Sequence, residues 1–284
     1  MLDLDAESRR LAVRVAARLP IDGTLGVAFS GGVDSAVLTA VAAWARGADQ
    51  VIAVIGVSPS LPERERTEAY QVAAQIGVRV VEVATREQDV VAYRNNGADR
   101  CYHCKHELFT RIDEEAAAAY GIVAVAYGEN ADDADRPDRP GALAATEHEI
   151  LRPLAEAGVT KAQVRALARS FGLKVADKPA APCLASRIPH GEEVTPQKLR
   201  EIEFAELMVM AQGFSDCRVR HHGSVARIEV PADEIIRFLV PEVKEAVVTG
   251  VKAAGFQFVA IDLVGIQSGA FTTTTLLQVR RARH

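Results

Sequence analysis

The most constraining feature of this chain is an apolar strand pattern that breaks into glycines and restarts as a helix. Residues 25–29 are uninterrupted apolar sequence, Ser30-Gly31-Gly32 follows, and residues 35–45 carry apolar side chains at helical spacing. A short continuous apolar run fits a strand covered on both faces, as parallel sheets require. The unit repeats. Val51–Val57 reads as a second strand, 62–76 as a helix opening at a proline, and 78–83 as a third strand. A helix over 102–119 and a strand over Ile122–Tyr127 continue the series. Leu11, Val13, Val15, Ala16 and Leu19 add an N-terminal helix over 4–19, ending near Pro20. Strands alternating with helices of this length predict an α/β fold, a parallel sheet with helices on both faces.

Residues 128–141 are rich in Asp, Arg, Pro and Gly and follow a strand directly, so they form a loop at the sheet edge where open parallel sheets place ligands. A helix over 160–171 stops at Gly172. Residues 176–191, with Pro179, Pro182, Cys183 and Pro189, lack periodicity and read as a second functional loop. From about Thr195 the grammar changes. A helix over 196–212 precedes alternating strands at 216–221 and 225–230 with His222-Gly223 as the turn, then helices at 233–239 and 242–254 and a strand at 256–263. The expected organisation is one large domain over 1–190 and a smaller α+β domain over 191–284.

A formal net charge of -5 on 284 residues argues against a duplex nucleic-acid partner, whose phosphates need clustered positive charge. Glu7, Arg9, Arg10 and Arg14 interrupt any signal-type run within residues 1–20, and no uncharged stretch approaches the roughly 20 residues that span a bilayer. A soluble cytoplasmic chain without a membrane partner is expected. In a reducing compartment Cys101, Cys104, Cys183 and Cys217 point to metal or redox chemistry and not to a disulfide framework.

In Ala28-Phe29-Ser30-Gly31-Gly32-Val33-Asp34-Ser35, two glycines between a buried strand and a helix let backbone N–H groups turn toward one point. With the helix N-terminus behind them, they make a concavity suited to a phosphate, to which Ser30 and Ser35 add hydroxyls. Asp34 would repel bare phosphate, so it either caps the helix or meets a bound Mg²⁺. The string lacks the Gly-Lys-Ser/Thr ending of a Walker loop. It resembles the PP-loop, Ser-Gly-Gly-x-Asp-Ser, of the ATP pyrophosphatase (adenine nucleotide alpha hydrolase-like) superfamily. That resemblance implies an enzyme splitting ATP into pyrophosphate and AMP, with Ala28, Ser58 and Gly128 also at the nucleotide.

Cys101-Tyr102-His103-Cys104 opens a helix, where the dipole favours the thiolate that metals and sulfur chemistry need. Two reduced cysteines on a helix would look the same. Zinc would want four ligands, with Cys183 or His103 and His106 completing the set, and a cluster held by three thiolates would leave one iron open. Cys183 lies beside Ser186 and Arg187, a setting suited to a reactive thiolate, whereas Cys217 sits in an alternating strand and reads as packing. Arg218 and Arg220 flank Val219, so both guanidinium groups lie on one face of a strand, for binding phosphate or carboxylate or for cross-strand charge pairing.

Together, the PP-loop, Arg100-Cys101-Tyr102-His103-Cys104-Lys105, Pro182-Cys183-Leu184-Ala185-Ser186-Arg187 and Arg218-Val219-Arg220 resemble the LarE family over nearly the whole chain. The resemblance implies an ATP-dependent sulfur transferase that adenylates a pyridinium carboxylate mononucleotide and makes a thiocarboxylate for the nickel-pincer nucleotide cofactor. It further implies a [4Fe-4S] cluster on Cys101, Cys104 and Cys183, the family's other variant sacrificing a single cysteine's sulfur. A sulfide or other sulfur donor and a homo-oligomer are implied too. Ser186, Arg187, Arg218 and Arg220 fall at substrate positions, and Glu206 matches a family position. The chain departs from the family by an apparent one-residue insertion at Arg136-Pro137-Asp138, between Asn130-Ala131-Asp132-Asp133 and Arg139-Pro140-Gly141. His190 replaces a common aromatic, and residues 261–269 lack a frequent arginine. Thiolation of a tRNA base, amide-forming ligation, and ATP or metal binding without turnover are the alternatives; the acidic balance counts against tRNA.

Overall fold

The computed structural model describes residues 4–134 and 140–267, so the apparent insertion at 136–138, Arg139, and Ser268-Gly269 lie outside the described residues. The chain forms two compact units, Met1–Glu87 with Cys101–Ala181, and Gln88–Arg100 with Pro182–His284.

The first unit is built on β1 (Thr24–Ala28), β2 (Val51–Val57), β3 (Arg79–Ala84) and β4 (Ile122–Tyr127), in the order β3-β2-β1-β4. Every neighbouring pair is parallel. Successive side chains point to opposite faces. Val51, Ala53 and Ile55 therefore join one apolar cluster with Leu11, Val37, Val72 and Leu167, while Ile52 and Val54 join another with Phe109, Ile112 and Ala116. A strand that must be apolar on both sides reads as the unbroken run seen in the sequence. The helix Glu63–Ile76 ends at Gly77, whose φ of 85° suits glycine, and Lys161–Ser170 starts from a capping box in which Thr160 and Gln163 exchange hydrogen bonds. The helical stretch from Arg100 to Tyr120 is continuous but passes through a π-helical turn at Ile112–Ala117. Short helices at Gly141–Glu147 and Pro153–Glu156 carry too few residues for periodicity to announce them.

The second unit contains β5 (Arg218–His222) and β6 (Val225–Glu229) as an antiparallel hairpin, with β7 (Phe258–Ile261) parallel to β6. His222 still pairs with Val225, so the turn residues are Gly223, at φ 61°, and Ser224, one position later than the expected His222-Gly223. Ala205 and Val209 from the helix Pro196–Met210 pack on Val219, Ala226 and Ile228, together with Val247 and Val251 from the helix Pro241–Ala253. This unit begins upstream of residue 191. The Asn96 amide donates to the carbonyls of Ile188 (3.2 Å) and Pro189 (2.8 Å), Val194 N donates to Arg94 O (2.8 Å), and Arg100 reaches Ala185 O (2.8 Å). Those bonds bind 88–100 and 182–190 to the residues that follow. Among the described residues no helix is long and apolar enough to cross a membrane.

Candidate functional site

Residues 29–32 join β1 to the helix Val33–Arg46 in the first unit. Gly31 has φ 71°, and a Cβ there would lie 2.8 Å from Ala69 Cα, so only glycine fits. Gly32 is the helix N-cap and provides no side-chain cap, which leaves the helix start facing the loop with its partial positive charge. Ser30 N donates to Ser35 Oγ at 3.3 Å, the two hydroxyl oxygens are 3.3 Å apart, and Ser35 Oγ donates to Gly32 O at 3.0 Å. The family resemblance implies Gly128 at the nucleotide, and in the structure Gly128 abuts the backbone of Asp34 and Ser35. A Cβ on Gly128 would come within 2.6 Å of Ser35 N and 2.7 Å of the Asp34 carbonyl carbon.

Asp34 does not cap its helix. Its Oδ1 accepts from Asn130 Nδ2 at 3.0 Å and its Oδ2 from Lys161 Nζ. Asn130 is fully buried and also donates to Asp133 Oδ2 (2.8 Å), and Lys161 N donates to Asp132 Oδ2 (2.8 Å). Two of the acidic-loop aspartates are thus tied to the residues that surround Asp34. Lys161 escaped the sequence reading; its signal was a lysine directly after a threonine cap, at the start of a helix following an acidic loop. Ser58, just past β2, donates to the Glu87 carboxylate, and Ser60 N donates to Ser58 Oγ at 3.2 Å. Glu87 is buried, with Oε2 lacking a hydrogen-bond partner, and nothing in the local sequence marks it.

Cys101 and Cys104 stand on the first turns of the helix Arg100–Arg111 in the first unit, exposed and half-buried respectively. Cys183 is half-buried in the second unit and caps the turn Leu184–Arg187. All three lie outside any disulfide, and Cys217 is buried in the apolar core of the second unit, as its alternating strand suggests. Among the described residues no group of three or more His, Cys, Asp or Glu side chains is arranged to hold a metal ion. His106 packs on His148.

In the second unit the expected substrate residues gather around Ser186. Arg187 is buried and forms a two-pronged pair with Glu206 (2.9 and 3.3 Å), while its Nη1 reaches Pro182 O at 2.7 Å and Ser186 Oγ at 3.0 Å. Glu206 also accepts from Val219 N at 2.9 Å, which gives this family position a part in holding β5. Arg220 pairs with Glu229 across the hairpin (3.0 and 2.7 Å) and donates to Ser186 O at 3.0 Å. Arg218 and Arg220 both donate to Gln267 O, at 3.1 and 3.3 Å. Cross-strand charge pairing therefore holds for Arg220. Burial, and next the neighbouring Arg187 guanidinium, lower the pKa of Arg218, with Arg220 adding to the effect and Asp216 and Glu229 opposing it. Burial works against the cation of Arg187 as well, but Glu206 outweighs it and the pKa of Arg187 is raised. A buried guanidinium destabilised by like neighbours is a place where a bound anion lowers the energy.

The asparagine synthase family matches residues 8–126, the stretch containing the loop, β1 to β3 and all of β4 but Tyr127. An uncharacterised protein of Synechocystis sp. is 40% identical over 243 residues, 86% of this chain and 90% of that one. Pyridinium-3,5-bisthiocarboxylic acid mononucleotide synthase of Lactiplantibacillus plantarum is 34% identical over 248 residues, 87% of this chain and 88% of that one. An uncharacterised protein of Methanocaldococcus jannaschii is 26% identical over 239 residues, 84% of this chain and 88% of that one. With the PP-loop built as its sequence requires and similarity to the synthase running through both units, the chain belongs to the LarE family of ATP-dependent sulfur transferases.

Proposed function

We propose that this chain activates the carboxylate of a pyridinium carboxylate mononucleotide with AMP and then replaces an oxygen by sulfur, a step in building the nickel-pincer nucleotide cofactor. The observation that carries this is the uncapped, glycine-lined helix start at Ser30–Ser35 in a chain that resembles a named thiocarboxylate synthase. The N–H groups and hydroxyls of Ser30, Gly31, Gly32 and Ser35 hold the phosphates that leave as pyrophosphate. Ala28, Ser58 and Gly128 border the nucleotide. Asp34, flanked by Asn130 and Lys161, fits a Mg²⁺ ligand, because an ammonium already rests on the oxygen that the ion would take.

In the first step a substrate carboxylate oxygen attacks the α-phosphorus and the bond to pyrophosphate breaks, giving an acyl adenylate. In the second, a sulfide attacks the acyl carbon and the bond to AMP breaks, giving thiocarboxylate, AMP and a proton. Arg218 and Arg220 bind the substrate phosphate, with Ser186 and Arg187 shaping that pocket. Three reduced thiols fit the donor set of a [4Fe-4S] cluster, for which Cys101, Cys104 and Cys183 would be the ligands. Such a cluster, when bound, supplies the sulfide at its open iron. The enzyme would be cytoplasmic and homo-oligomeric, taking sulfide from a small donor and binding no nucleic acid.

The test is pyrophosphate release with the carboxylated mononucleotide, the same compound lacking phosphate, and tRNA. Release dependent on the phosphorylated carboxylate, with a thiocarboxylate product, is expected; release with tRNA alone overturns the assignment. Iron and sulfide analysis of anaerobically purified protein checks the cluster: Cys101→Ala, Cys104→Ala and Cys183→Ala should each lose iron.

A further inference from the structure

The hairpin of the second unit sets two arginines face to face, an arrangement that costs energy. In the β5–β6 register Arg220 stands opposite Arg227, and Arg218 opposite Glu229. Residues paired across two strands share a face of the sheet, and like charges directly opposite one another are destabilising. Glu229 is buried and touches both members of the like pair. Its Oε1 accepts from Arg220 Nε at 3.0 Å and lies 3.1 Å from Arg227 Nη1, while its Oε2 accepts from Arg220 Nη2 at 2.7 Å. Arg227 also donates to the carboxylate of Asp262, the residue after β7, and its Nε donates to His222 Nε2 at 3.2 Å. Burial, and next the charge of Arg227, lower the pKa of His222, with Glu192 opposing, so that ring is neutral near pH 7.

We propose, resting on the reading of Arg218 and Arg220 as the substrate-phosphate pair, that Arg227 is a positioning residue for that phosphate. It keeps Glu229 from cancelling the positive charge that the pair presents. A carboxylate gripped by Arg220 at both oxygens, and by nothing else, makes a neutral unit. Such a unit offers an incoming phosphomonoester hydrogen bonds but little field. The second guanidinium on Oε1 draws on the same negative charge, so Arg220 retains part of its own for a ligand. Glu229 meanwhile fixes the plane of the Arg220 guanidinium, and Ser186 O, accepting from its Nη1 at 3.0 Å, fixes it further. Asp262 and His222 pin Arg227 so that its charge stays against Glu229. Removing Arg227 would leave Glu229 to Arg220 alone and strip Asp262 of its guanidinium, two changes that both make the face less positive. The like pair across the hairpin is thus repaid when a phosphate binds.

The experiment is calorimetric titration of the pyridinium carboxylate mononucleotide into the full chain with α,β-methylene ATP present. Arg227→Met should weaken binding about tenfold, the scale of one unit charge acting across a strand pair at an effective dielectric of about 20. Arg227→Lys keeps the charge and should stay within about threefold of wild type. Asp262→Asn removes a negative charge from the same face and should tighten binding, whereas a merely structural part for this contact would weaken it in both Arg227→Met and Asp262→Asn. In pyrophosphate release with ATP, Arg227→Met should raise KM for the mononucleotide and leave kcat unchanged, with urea denaturation showing the variants folded. Arg220→Met separates the possible failures. No binding by the wild type, or binding unchanged in Arg220→Met, overturns the phosphate pair and the role of Arg227 together. Binding weakened by Arg220→Met but not by Arg227→Met, or weakened by Asp262→Asn, overturns the role of Arg227 alone.

Discussion

Gly128→Ala tests the nucleotide loop by pressing on the backbone of Asp34 and Ser35 without removing any side chain. The added Cβ would sit 2.6 Å from Ser35 N, where ordinary contact begins at 3.4 Å, so the backbone must yield by 3.4 − 2.6 = 0.8 Å. The obstructing atoms are main chain of the loop itself and cannot swing aside as a side-chain tip would. Overpacking of this kind costs about 1–3 kcal/mol of stability. The larger effect is catalytic. Moving reacting groups by about 1 Å costs about 100-fold in rate, or about 2.7 kcal/mol of transition-state stabilisation. Pyrophosphate release at saturating carboxylate should therefore show kcat/KM for ATP lowered about 100-fold. Gly77→Ala is the control: φ is 85° there but nothing lies within 4 Å of the new Cβ, so it strains the backbone by about 1–2 kcal/mol far from the loop. Wild-type kcat/KM in Gly128→Ala, or an equal loss in Gly77→Ala, would refute the role given to this contact.

Replacing Arg187 by Met strands Glu206 in the interior and should cost about 3–5 kcal/mol in urea denaturation, whereas Arg187→Met with Glu206→Met should cost less than the single change. Asp5, capping the first helix, is held to about 2 by hydrogen bonds from the side chain and backbone of Ser8, with Ser170 and Glu7 N contributing. Because the folded value lies below the ordinary 3.8, its contribution is present above pH about 4 and lost as pH falls toward 2. Asp5→Asn should flatten the acid limb of the stability curve in that window, and an unchanged slope would count against the cap. Cys217→Ala should lower stability by about 1 kcal/mol and leave iron content as in the wild type.

The parallel sheet was legible because burial on both faces forces apolar runs, which fall on β1, β2 and β4, whereas the edge strand β3 carries Arg79 and Glu82. The loop was legible because a phosphate cradle needs glycine at a left-handed position, and Gly31 is such a residue. Short helices such as Pro153–Glu156, and the onset of the second unit at Gln88, were not. A single turn has no period, and the Asn96 amide finds the Ile188 and Pro189 carbonyls only after the chain folds.

Local chemistry, written in neighbouring residues, settled the strands, the anion loop, the C-x-x-C helix and the core position of Cys217. Tertiary structure decided which distant side chains meet. Lys161 lies 127 residues from Asp34, Glu87 receives the Ser58 hydroxyl, and Gly128 backs the loop because the strand order β3-β2-β1-β4 sets β4 beside β1. Spacing along the chain specifies the face of an element on which a residue stands. The partner across that face is chosen by how sheet and helices pack, a choice made by the buried apolar surface as a whole.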